Sequence, residues 1–276
     1  MNFEKILLTG ATGFVGNKVI RVLQGLGKRV RVVIRPESFT KLINPKNLDS
    51  VIYSPDIFAE SADWWAKACE GIDTFVHIAW ITEPGKYLYS SANLDCLQGT
   101  LQMAKGAAKG KIRRFVGIGT CFEYDVKQGM LSTDTPLRPL TPYAGTKAAV
   151  FMSLAHWLPL NNIQFAWCRL FYLYGKGEDS RRFVSYVRSK LESGQPAELT
   201  EGYQIRDFLE AEEAAHMICE IILSEKTGAF NICSGVPITI RQFAEKLADE
   251  YGRRDLLIFG AREENIIDPP CVVGIR

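Results

Sequence analysis

Histidine is scarce in this 276-residue chain, with His77, His156 and His216 alone, and its seven cysteines (69, 96, 121, 168, 219, 233 and 271) include no C-x-x-C pair. An odd set of scattered thiols suggests neither a disulfide framework nor a zinc site, so no metal is expected. No apolar run approaches the ~18 residues a membrane span needs. A basic stretch leading into a long apolar one is missing from the N-terminus, so no membrane association is expected and the cytoplasm is the default. Charge of one sign is also lacking: 33 basic against 31 acidic residues leave +2, which gives no long-range field for nucleic acid. A small cluster, Lys111, Arg113 and Arg114, reads as a solvated helix end. No repeat or low-complexity tract interrupts the chain. What remains, at 47% hydrophobic and 23% charged, is enough to bury a large core in one sizeable α/β domain with a smaller lobe.

Strand-like and helix-like segments alternate up to about Cys168, the pattern of parallel βαβ units on both faces of a sheet. Strands are expected near 5–9, 29–34, 50–54, 73–78, 113–119 and 163–168, and helices near 15–26, 61–70, 86–109 and 143–158. Beyond Phe171 the pattern loosens, with a helix-like 180–192. Gly228–Ile232 then reads as a buried strand, ahead of a last helix near 239–251. The fold expected is a doubly wound parallel α/β sheet with a smaller, discontinuous C-terminal lobe. Residues 1–171 would form the larger domain, to which the chain returns at about 207–233. The lobe would take 172–206 and 234–276.

Thr9–Gly16 joins an apolar strand to an apolar-periodic helix through three glycines spaced three apart. Gly10 would permit a tight turn, Gly13 would let backbone N–H groups approach a pyrophosphate, and Gly16 would let the helix lie close on the sheet. Thr12, Phe14 and Val15 belong to the same cradle. The second strand ends at Arg35, where a site for NAD would place an acid for the ribose 2′-hydroxyl; arginine there suits a 2′-phosphate, so NADPH is preferred and NAD possible. Glu37 close by offers a surface pair instead. Asp56-Ile57 and His77-Ile78-Ala79-Trp80 lie at C-terminal strand ends, where such sheets bind ligands.

Tyr143 and Lys147 stand one helical turn apart, so the ammonium could lower the phenol's pKa. The spacing alone is weak, since Tyr172 with Lys176 and Tyr186 with Lys190 repeat it. Only Tyr143 opens a long helix after a strand that ends in a hydroxyl, Thr120.

These motifs, in this order, resemble the extended short-chain dehydrogenase/reductases, the NAD-dependent epimerase/dehydratase family. Arg169–Gly175, Arg206-Asp207-Phe208 and Phe230–Gly235 continue the likeness over almost the whole chain. The resemblance implies a Rossmann domain with NAD(P), Tyr143 as general acid/base, Lys147 bonding the nicotinamide ribose, Thr120 polarising the carbonyl and Asn93 as a supporting anchor. Thr120–Asp125 and Leu140–Tyr143 are similar to sugar-nucleotide 4-ketoreductases in particular.

Departures from the family narrow the reaction. Dehydratase members carry an Asp-Glu pair directly after the active-site hydroxyl; here stand Cys121 and Phe122, with Glu123 one place late, so net dehydration is not expected. Cys121 reads as an inert core thiol more than as an acid/base. Tyr172 replaces an asparagine that contacts the sugar phosphates in many relatives. The chain stops at Arg276, soon after Asp268, which reads as a truncated or naturally short form.

The expected activity is NADPH-dependent reduction of the 4-keto group of a nucleotide-activated 4-keto-6-deoxyhexose, in deoxysugar or surface-polysaccharide synthesis. Alternatives are an NAD-retaining sugar-nucleotide 4-epimerase and a non-catalytic NADP-binding regulator. Substrate contacts are expected from Trp80, Cys121, Glu123, Tyr172, Arg181, Arg182 and Arg206, the last favoured for the diphosphate over a surface pair with Asp207 or Glu210. Leu97, Leu101, Ala104, Val150, Leu154 and Leu158 would line a homodimer interface.

Overall fold

The computed structural model describes residues 4–264 and 268–276. In chain order its elements are β1 (Lys5–Thr9), α1 (Phe14–Gly25), β2 (Arg29–Ile34), β3 (Ser50–Tyr53), α2 (Ala62–Ala68), β4 (Thr74–His77), α3 (Ala92–Lys109), β5 (Arg114–Thr120), β6 (Met130–Leu131), α4 (Pro142–Trp157) and β7 (Gln164–Leu170). There follow β8 (Tyr172–Tyr174), α5 (Phe183–Glu192), β9 (Ala197–Glu198), β10 (Ile205–Arg206), β11 (Phe208–Glu210), α6 (Ala211–Leu223), β12 (Gly228–Ile232), β13 (Ile238–Thr239), α7 (Ile240–Asp249), β14 (Leu257–Ile258) and β15 (Cys271–Gly274).

Seven strands make one parallel sheet in the order β12-β7-β5-β4-β1-β2-β3, the doubly wound Rossmann arrangement. Successive side chains of a strand point to opposite faces, and both faces here are covered, which is why these strands read as unbroken apolar runs. Ile6, Leu8, Val32, Val116 and Ala166 face a core shared with α1 and α6. Leu7, Val33, Phe75, Phe115 and Phe165 face a second core built with α2, α3 and α4. The strand order turns back between β1 and β4, whose register pairs Thr9 with His77. Ligands of such sheets bind at that switch point, beyond the carboxyl ends of the strands.

The chain leaves the large sheet after Leu170 and rejoins it at Gly228–Ile232. A separate four-stranded sheet, β13-β10-β15-β6, lies beside it, and α5 and α7 enclose a third core of Val184, Val187, Leu191, Phe243 and Leu247. Met130–Leu131 joins that smaller sheet from within the first 171 residues, through β15.

Three expectations need correction. The helix expected over 86–109 begins at Ala92, because Tyr87–Tyr89 forms a separate 3₁₀ turn. Arg114 is not solvated: it is fully buried and donates to the carbonyls of Ile221 and Lys226, tying β5 to the end of α6. Ala104, Val150, Leu154 and Leu158 are buried and Leu97 and Leu101 partly buried in the chain's own core, so that stripe does not describe a dimer surface.

Candidate active site

The β1–α1 turn is shaped by close backbone approach. Gly10 has φ +79°, and a Cβ there would stand 2.6 Å from the backbone nitrogen of Ala79, while one on Gly16 would meet the Gly10 carbonyl at 2.0 Å. Side chains at either place would push apart β1, β4 and α1. Gly13 is the N-cap of α1 with no side-chain cap, and no acid lies in that helix's first turn. The first N–H groups, from Phe14 and Val15 onward, thus keep their partial positive charge for an incoming anion, with Thr12 beside them. The turn fits a dinucleotide diphosphate.

Around this cradle, Arg35 directly follows β2 with 61% of its side chain exposed and a loose 3.4 Å pair with Glu37. Asp56 accepts from the Phe58 N–H at 2.9 Å, which shapes the loop of Asp56 and Ile57 at the end of β3. His77 lies between the hydroxyls of Thr9 (2.8 Å) and Thr100 (3.0 Å). Burial pushes its pKa down to about 3, so it is a neutral structural link between β4 and its neighbours.

The groups expected to react meet where β5 stops and α4 starts. Thr141 caps α4 by accepting from the Ala144 N–H, and Pro142 takes the first helical position, so Tyr143 enters in the first turn with its ring turned inward. Tyr143 is 8% exposed, stands edge-on to Tyr87 with ring centroids 4.8 Å apart, and has the Thr120 hydroxyl beside its own. Burial pushes its phenol up, and the nearby Thr120 hydroxyl opposes that. The expected depression by Lys147 is not what this geometry gives. The Lys147 ammonium instead donates to the Ile118 carbonyl at 2.6 Å and lies 3.9 Å from the centroid of the Trp80 ring. Burial brings the Lys147 pKa down to about 7, opposed by Glu123 and Cys96.

Of the other two tyrosine–lysine spacings, Tyr172 lies in β8 with Lys176 past its end, off any helix. Tyr186 sits on α5, where its hydroxyl accepts from the Glu198 N–H and Lys190 binds Gln195.

Several residues expected at the substrate are committed elsewhere. Glu123 is completely buried and accepts from the Thr120 N–H, Trp167 Nε1 and Arg169 Nε, because Arg169 of β7 emerges beside it. Cys121 is buried, and burial drives its thiol up to about 12, which removes it as an acid/base near neutrality. Trp80 gives its indole N–H to Asn93 and its face to Lys147. Arg181 holds Asp179 with two bonds and lies 3.6 Å from Glu83, so two carboxylates already balance its charge. Arg206 makes neither a surface pair with Asp207 or Glu210 nor an open phosphate site: it is 2% exposed and paired with Asp268 at 2.6 Å. Asp207 accepts from Ser234, Gly235 and Gly274 instead.

Two of the expected groups stay available. The Tyr172 hydroxyl is buried with no hydrogen-bond partner among the described residues, its ring 5.3 Å from the Arg206 guanidinium. Arg182, the N-cap of α5, has no ion-pair partner within 4 Å among the described residues, and its charge opposes the upward push of burial on Tyr87. Tyr87 itself was not foreseen. Its only sequence signal was the aromatic pair Tyr87 and Tyr89 ahead of Asn93, whose amide bonds the carbonyls of Tyr87 and Ser90.

Among the described residues, no helix is long and apolar enough to cross a membrane. The model of the NAD dependent epimerase/dehydratase family matches residues 6–233. Among curated relatives, the dTDP-6-deoxy-L-talose 4-dehydrogenase (NAD(+)) of Aggregatibacter actinomycetemcomitans is 24% identical over 252 residues, spanning 89% of this chain and 90% of that protein. An uncharacterized UDP-glucose epimerase, YtcB, of Bacillus subtilis is 30% identical over 224 residues, spanning 74% and 68%. Among solved structures, the UDP-N-acetylglucosamine 4-epimerase of Methanobrevibacter ruminantium M1 superposes with a TM-score of 0.86 at 19% identity, covering 100% of this chain and 90% of that one.

Proposed function

The chain belongs to the NAD dependent epimerase/dehydratase family, and on that premise we propose that it reduces the 4-keto group of a nucleotide-activated 4-keto-6-deoxyhexose with NADPH. The observation that carries this is the neighbouring pair of hydroxyls, Thr120 and Tyr143, followed by residues that cannot do a dehydratase's second task. Cys121 holds its proton, Phe122 has none to exchange, and Glu123 is locked by Arg169. The name of the talose 4-dehydrogenase, which describes oxidation at the same carbon, supports C4 as the reacting carbon, although that relative is named for NAD(+).

Bound NADPH supplies the hydride. The protein's part is proton delivery and orientation. Tyr143, kept protonated by burial, gives its phenolic proton to the oxygen at C4 as negative charge gathers there. Thr120 donates a hydrogen bond to the same oxygen. Such positioned proton transfer is worth ~10²–10⁴-fold. The Phe14 and Val15 N–H groups would hold the dinucleotide diphosphate, Lys147 the nicotinamide ribose, and Arg35 the 2′-phosphate. We assign residues 172–206 and 234–276 to the substrate lobe, with Arg182 and the Tyr172 hydroxyl on the sugar nucleotide. A homodimer belongs to the same proposal, now through exposed Leu94, Met152 and Leu160 on and beside α3 and α4.

The second reading, a 4-epimerase that retains NAD, is favoured by the 30% identical epimerase relative. An assay of NADPH oxidation against a panel of 4-keto-6-deoxy sugar nucleotides tests the proposal. Turnover of a UDP-sugar with no added cofactor, and no NADPH consumption with any keto-sugar, would transfer the assignment to the epimerase.

A further inference from the structure

The two reactive side chains of α4 are joined by a second route besides their helix. The Lys147 ammonium lies over Trp80 at 3.9 Å, Trp80 Nε1 donates to Asn93 Oδ1 at 2.8 Å, and Asn93 Nδ2 donates to the Tyr87 carbonyl at 2.7 Å. Tyr87 closes the ring on Tyr143, edge to face at 4.8 Å. Asn93 is wholly buried and uses both ends of its amide, so the indole has one orientation. We propose that Trp80 is a positioning residue for the reactive lysine: its ring face carries the Lys147 ammonium, and Asn93 and Tyr87 tie that charge to the ring of Tyr143. This rests on Tyr143 and Lys147 being the reactive pair.

The surroundings of Lys147 leave this work to Trp80. His77 of β4 faces it as a neutral imidazole, and Cys96 of α3 as a thiol pushed up to about 11. Glu123, after β5, favours the ammonium from a distance while its oxygens accept from Arg169, Trp167 and the Thr120 N–H. Tyr143, on the same helix, is kept protonated by burial. Trp167 lies further off, its ring centroid 5.8 Å from the nitrogen. Among the described residues, direct contact therefore comes from the Ile118 carbonyl and from the Trp80 ring, whose electron-rich face attracts a cation strongly where water is excluded.

The test follows the ¹³Cε resonance of Lys147 against pH in lysine-labelled protein, assigned by its loss in Lys147→Met. The wild-type midpoint should lie near neutrality. Trp80→Leu should lower it by roughly 0.5–1.5 pH units, while Trp80→Phe, which keeps a ring face, should retain most of the wild-type value. Should Trp80→Leu fail to fold, site-specific replacement of Trp80 alone by mono-, di- and trifluorotryptophan keeps the shape and weakens the ring face, and the midpoint should fall stepwise. A midpoint unmoved by these changes makes Trp80 a packing residue and overturns the proposal. No substrate is needed, so a protein that reduces no keto-sugar but titrates as expected would defeat the reductase assignment alone.

Discussion

Glu123 and Arg169 form an ion pair at 2.7 Å with the two side chains 0% and 1% exposed. The carboxylate is completed by Trp167 Nε1 and the Thr120 N–H, and the guanidinium also donates to the Tyr124 hydroxyl, which in turn donates to Asn231. Removing one member strands the other's charge away from water, which costs roughly 3–5 kcal/mol for buried pairs. Arg169→Leu should accordingly lower the unfolding free energy by about that amount in urea melts. A loss under ~1 kcal/mol would mean that the pair is solvated.

The proposed preference for NADPH rests on Arg35, a lightly engaged arginine where an acid would repel phosphate. Wild-type protein should prefer NADPH to NADH in kcat/KM. Arg35→Asp should weaken NADPH use far more than NADH use, because it adds repulsion to a lost partner. Equal losses with both would remove the assignment.

Tyr143→Phe should lower kcat by ~10²–10⁴-fold with cofactor binding nearly unchanged, since the substitution removes only the transferable proton. Lys147→Ala should harm both cofactor binding and turnover. Tyr186→Phe should leave the rate near wild type, its hydroxyl being occupied on the Glu198 backbone. The reverse pattern would show the wrong tyrosine–lysine pair.

For the diphosphate, Arg182→Ala should raise the KM for the sugar nucleotide about tenfold or more with the KM for NADPH little changed, as expected for loss of a charge-assisted phosphate contact. Arg181→Ala, whose partners are Asp179 and Glu83, should change it by less than about twofold. Steady-state kinetics on the two variants decide, and equal effects would refute the distinction.

How far these features were legible depends on the distance over which each is determined. The β1–α1 cradle was readable because Gly10, Gly13 and Gly16 act within seven residues on one turn. Tyr143 was readable because Thr141 and Pro142 start its helix and Thr120 ends the strand before it. The commitments of Glu123 to Arg169 and of Arg206 to Asp268 were not, since the partners lie 46 and 62 residues away on other strands and loops. Arg114 misled for the same reason: beside Lys111 and Arg113 it looked like surface, yet its partners are carbonyls at the far end of α6. The contact of Trp80 with Lys147 needs β4 and α4 brought together by the sheet, which no local spacing records.

The central claim is tested most directly by a single-turnover reaction with NADPH carrying deuterium at both hydrogens of nicotinamide C4, on a 4-keto-6-deoxy sugar nucleotide, with the product examined by NMR. The account predicts one deuterium at C4 of the sugar for each NADP formed, in a single configuration at that carbon. Deuterium absent from C4, or interconversion of C4 configurations without net cofactor oxidation, would contradict it.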